Sequence, residues 1–130
     1  MKRIILILGV LLMLAQNGFA MTNEEFDKKI RTATTALDRL VWTCNKFAAS
    51  QNNRYGDINA CLTAIEVGKK NGYTENNLRG VFLNTGIVYE ITKKNYIRAY
   101  EYYRISAKHG EPNAQICLDN LCRDHSWACK

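Results

Sequence analysis

Apolar residues recur at three- and four-residue steps along nearly the whole chain, and only one proline, Pro112, interrupts 130 residues. Phe26, Ile30, Ala33, Leu37, Leu40, Cys44 and Phe47 fall on one face at a period of about 3.6 residues, the mark of an amphipathic helix. Ile58, Cys61, Leu62 and Ile65 form a second such face. Leu78, Val81, Phe82, Thr85, Val88 and Tyr89 form a third, with Leu83, Ile87 and Ile91 covering another side of the same segment. A helix apolar on two sides is expected to be central, packed from both directions. Tyr96, Ala99, Tyr100, Tyr103 and Ala107 make a fourth face, and Ala114, Cys117, Leu118, Leu121 and Cys122 a fifth. No segment alternates with the period of two that a half-buried strand requires. The expected fold class is all-α, with about five antiparallel helices joined by short loops.

Punctuation fits these segments. Thr22-Asn23-Glu24-Glu25 is a capping box for the first helix. The polar run at residues 50–57 breaks it, and Asp57 can cap the second. Asn71-Gly72 closes the second helix, and Thr74 can cap the third. His109-Gly110 stops the fourth, and Pro112 suits the first turn of the fifth, where no amide partner is lost.

The first twenty residues, MKRIILILGVLLMLAQNGFA, have a basic start, an uninterrupted apolar run and a small-residue end. They are expected to be a secretory signal peptide cleaved after Ala20, since the run is shorter than the ~20 residues that span a bilayer. One domain, residues 21–130, remains. Loss of Lys2 and Arg3 lowers the formal charge from +6 to +4. A mild basic excess favours acidic partners or anionic surfaces, and no block of like charge points to a nucleic-acid tail. Cys44, Cys61, Cys117, Cys122 and Cys129 all lie in this domain. In an exported chain they are expected to form disulfides, with one thiol left over. No C-x-x-C pair exists, and His109 and His125 lie at no recognised ligand spacing, so no metal is expected.

The chain also repeats itself. A-x-x-x-L-x-x-x-C occurs at Ala36, Leu40, Cys44 and again at Ala114, Leu118, Cys122. "EVGKKNG", residues 66–72, and "RISAKHG", residues 104–110, close their helices alike. Between them Gly86 and Tyr89, then Ala99, Tyr102, Tyr103, Ala107 and Gly110, then Ala114 and Leu118, follow the order of the Sel-like repeat. The segment resembles that branch of the tetratricopeptide superfamily over roughly a third of the chain. Thr85, Ser106 and Asp119 depart from the pattern, where the family has Leu, Ala and Gly, and the loop after Tyr89 is short. The resemblance implies a short right-handed α-solenoid of helical hairpins. In that arrangement Tyr100 and Tyr103 become core residues and Tyr102 a packing residue shared with a neighbouring helix. Cys44 pairs with Cys61 across the first hairpin, and Cys122 with Cys129 on the tail, leaving Cys117 unpaired and buried. Cys117–Cys129 is the alternative pairing. The cysteine-rich relatives also use disulfides as staples.

No catalytic residues are expected. Cys117 beside Leu118 and Leu121 suits burial rather than a reactive thiolate, and His125-Ser126 reads as a solvated tail. No cofactor is expected, because no Gly-rich phosphate loop is present. Some relatives of the cysteine-rich group bind or cleave β-lactams, which makes a weak hydrolase a minor alternative. Helical-repeat surfaces bind peptides and protein loops. The resemblance therefore implies a periplasmic or secreted protein-binding domain. A compact, disulfide-stapled exported domain with no catalytic signature suits an immunity protein that inhibits a secreted toxin. A scaffold or assembly factor of an envelope complex is the alternative. The candidate partner-binding residues are Gln51, Asn52, Asn53, Arg54 and Tyr55 of the polar loop, with Tyr96, Arg98 and Arg104.

Overall fold

The computed structural model describes residues 21–49 and 58–130, all in helices and short connections, with no strand among them. The expected signal peptide, the Asp57 cap and the loop residues Gln51, Asn52, Asn53, Arg54 and Tyr55 lie outside the described residues. Among the described residues six α-helices follow one another: α1 (Asn23–Thr32), α2 (Ala36–Ala49), α3 (Ile58–Lys70), α4 (Arg79–Ile87), α5 (Tyr96–Lys108) and α6 (Pro112–Asp124). A π-helical turn (Val88–Thr92) extends α4, and a 3₁₀ turn (Ser126–Ala128) follows α6. No described helix is long and apolar enough to cross a membrane.

The first helix predicted from periodicity is two helices. Ala33 is extended (ψ 133°), and the Thr35 hydroxyl accepts a hydrogen bond from the Asp38 amide at 3.0 Å, which caps α2 afresh. Thr32, Thr34 and Thr35 surround this break, and threonine hydroxyls compete locally for backbone partners. The apolar spacing runs through the break, and Phe26 of α1 enters one core with Leu37 and Cys44 of α2. The buried face of α2 matches the predicted one only in part. In α2, Leu37, Val41, Trp42, Cys44 and Ala48 are buried, whereas Leu40 and Phe47 are only partly covered.

The predicted capping box forms in part: the Glu25 amide donates to the Thr22 hydroxyl at 3.2 Å, and that hydroxyl donates to the Glu25 carboxylate at 3.3 Å, so the carboxylate meets the hydroxyl rather than a helix amide. Thr74 and Asn77 cap each other reciprocally ahead of α4. The two helix-closing segments superpose in hydrogen bonding as well as in sequence. Tyr73 N–H reaches the Gly68 carbonyl and Gly72 N–H that of Lys69; Glu111 N–H reaches Ser106 and Gly110 N–H reaches Ala107. These are matching Schellman closures, with Gly72 and Gly110 at φ +86° and +84°, a conformation that glycine adopts without a Cβ penalty.

Helix α4 is central, in contact with α2, α3 and α5, as its two apolar sides imply. Val81, Phe82 and Val88 face a larger core shared with α1, α2 and α3. Leu83 faces a smaller one made with Ala99, Tyr103, Ala114 and Leu121. Disulfides Cys44–Cys61 and Cys122–Cys129 join α2 to α3 and α6 to the tail, and Cys117 is free.

Candidate functional site

Two constellations of polar and aromatic side chains converge on α5, one buried and one exposed. The buried one centres on Tyr103, which is 1% exposed. Its ring lies against Gly86 so closely that a Cβ there would stand 2.5 Å from Cδ1. Its hydroxyl donates to Glu90 Oε1 at 2.7 Å, and the π turn after α4 is what carries Glu90. The Cys117 sulfur from α6 interacts with the same hydroxyl. Burial, reinforced by the charge of Glu90, pushes the Cys117 thiol up to about 11 and holds the Tyr103 phenol far above its ordinary range. Neither ionises near neutral pH. Since the thiolate is the nucleophile, Cys117 is not an activated group, and the cluster acts as a hydrogen-bonded seam between α4, α5 and α6.

The exposed constellation forms where α5 begins and the chain ends. Asn95 starts the helix by accepting the Arg98 amide on its side chain at 3.1 Å. That sets Tyr96 in the first turn, facing the tail. Its ring stacks on the His125 imidazole at 3.7 Å between centres, and Trp127 meets it edge-on at 6.1 Å. The Cys122–Cys129 disulfide ties the 3₁₀ turn bearing Trp127 back to α6. Trp127 is 57% exposed and Ile97, next to Tyr96, is 52% exposed. Exposed large apolar side chains grouped together are the material of protein-binding hot spots.

The predicted residues divide between these settings. Tyr100 is half-buried, and Arg104 lies over its ring at 5.5 Å. Tyr102 packs between elements, stacked on Phe82 at 6.0 Å and Tyr89 at 5.5 Å. Tyr96, expected to be exposed, is half-covered by His125 and Trp127. Arg98 is exposed and pairs with Glu101 at 3.1 Å. Cys117, expected to be buried, is only partly so. Sequence reasoning missed His125 and Trp127, which it left in a solvated tail. The available signal was a tryptophan set between two cysteines, Cys122 and Cys129, in an otherwise polar segment.

An open concavity of about 660 Å³ runs along α1 past Thr22, Glu24, Glu25, Asp27, Lys28 and Arg31, with charges of both signs and no aromatic side chain among its described lining residues. Among the described residues, no three His, Cys, Asp or Glu side chains gather as a metal site. No family model, curated protein or solved structure matches the chain.

Proposed function

We propose that this chain is an exported, disulfide-stapled protein-binding domain, a short Sel-like solenoid of antiparallel hairpins. Within that class, an immunity protein that inhibits a secreted toxin in the periplasm fits best. The observation that carries the binding role is Trp127, exposed yet fixed by Tyr96 and by the Cys122–Cys129 staple. A rigid aromatic loses little conformational freedom when a partner covers it. Two disulfides suit an oxidising compartment, and the matched Schellman closures suit repeated units.

Affinity capture from envelope extracts with the oxidised protein, run beside its Trp127→Ala variant, tests the role. An inhibitor captures one toxin or enzyme, and expression of the protein rescues cells poisoned by it. Recovery of several components of one assembly would instead favour a scaffold. Capture that is unchanged by Trp127→Ala would remove the observation on which the reading rests.

A further inference from the structure

Tyr96, Tyr100, Arg104 and Lys108 are spaced four residues apart on α5 and so share one stripe of its surface. Contacts make the stripe continuous. Trp127 abuts Tyr96 edge-on, and the Arg104 guanidinium covers Tyr100. Arg104 and Lys108 then line an open concavity of about 400 Å³ with Glu101 and Ile105. One end of the stripe is therefore aromatic and the other cationic. The charges do not cancel: Glu101 is engaged by Arg98, while Arg104 and Lys108 form no ion pair with any described residue. From Tyr96 to Lys108 the stripe runs about 18 Å at the helical rise. That length matches roughly five or six residues of extended chain.

We propose that this stripe docks an acidic peptide segment of the partner, with an aromatic or aliphatic side chain against Trp127 and Ile97 and carboxylates on Arg104 and Lys108. The proposal rests on the protein-binding role and names the partner's chemistry. Arg104 suits the task because stacking on Tyr100 pre-orders its guanidinium, whose planar fork matches a carboxylate. Solvent-exposed Lys108 adds attraction that salt will screen.

The test is selection of a random peptide display library on the intact oxidised protein. The selected peptides are then titrated by tryptophan fluorescence, where buried Trp42 supplies a constant background and Trp127 reports. Enriched peptides should carry Asp or Glu clusters beside an apolar residue and shift Trp127 emission to the blue. Trp127→Ala (followed with labelled peptide) and Arg104→Glu should each weaken binding about tenfold or more, the scale of a hot spot. Arg31→Glu, at an exposed position of α1, should leave it unchanged. Added salt should weaken binding to the parent more than to Arg104→Glu. Neutral or basic consensus peptides, or acidic peptides that bind both variants equally, would overturn the proposal. So would binding to phosphatidylglycerol vesicles through these residues without acidic-peptide binding. If an envelope partner is captured but survives both substitutions, this surface is wrong while the binding role stands. If acidic peptides bind as expected and no envelope protein is captured, the surface stands and the role fails.

Discussion

Replacing Gly86 with alanine should destabilise the protein although alanine is the better helix former. Gly86 lies in the buried interior of α4. On helix propensity alone, the exchange would stabilise by about 1 kcal/mol. The added methyl, however, would sit 2.5 Å from Tyr103 Cδ1 and 2.6 Å from Cε1. Carbon contacts are favourable only at roughly 3.5–4.0 Å, so about 1 Å of overlap must be relieved. The ring has little freedom to give way, being 1% exposed and bonded through its hydroxyl to Glu90 at 2.7 Å. Overpacking of this kind costs ~1–3 kcal/mol, and losing a hydrogen bond to a charged group adds ~1.5–3 kcal/mol. Less the propensity gain, the loss is about 3 kcal/mol, a large part of the ~5–15 kcal/mol that holds a domain folded. Urea unfolding followed by circular dichroism measures it. In a Tyr103→Ala background the obstructing ring is gone, so Gly86→Ala should become neutral or stabilising. Such non-additivity is the sign of direct contact. If Gly86→Ala matches the parent protein, or costs the same with and without the Tyr103 ring, the close approach does not govern the seam.

Removing the Cys44–Cys61 disulfide by double alanine substitution should cost about 3 kcal/mol in the chain-entropy model, and removing Cys122–Cys129 about 2.4 kcal/mol, because the loops span 17 and 7 residues. Non-reducing peptide mapping should return these two pairs, and a Cys117–Cys129 link would refute the arrangement. The Cys117 thiol is raised in the folded protein from 9.0 to about 11, so its stabilising contribution is complete below pH ~9 and is lost as pH rises through about 11. Denaturation between pH 8 and 11 should therefore show declining stability that Cys117→Ala reduces, and iodoacetamide should label Cys117 far more slowly in the folded chain than in urea. Asn45 and Asn84 meet in the core at 3.5 Å, leaving Asn45 Nδ2 and Asn84 Oδ1 without hydrogen-bond partners among the described residues. Replacing either alone with leucine should destabilise by ~1–3 kcal/mol, whereas replacing both should recover much of the loss in a thermal melt.

Helix class, most boundaries and the central position of α4 were legible because they depend on residues close together in the chain. Three- and four-residue apolar spacing, Thr22 with Glu25, and Gly72 and Gly110 act within a turn or two of themselves. The break between α1 and α2 escaped because Thr35 capping leaves the apolar period undisturbed. The true inner face of α2 escaped as well, since which of Leu40 and Val41 is covered depends on where α1, α3 and α4 press upon it. In the candidate site, Arg98 and Arg104 were legible as exposed helix positions.

His125 and Trp127 were not, because a short polar tail has no periodicity to place it. By itself the sequence determined an all-helical chain, its closing turns and its cysteine content, since local backbone preference and burial pattern suffice for these. Only the tertiary structure decided that Gly86 makes room for Tyr103, that the π turn brings Glu90 to its hydroxyl, and that Trp127 folds onto Tyr96. Each of these joins groups distant in the chain, and such distances are set by packing, which no local pattern records.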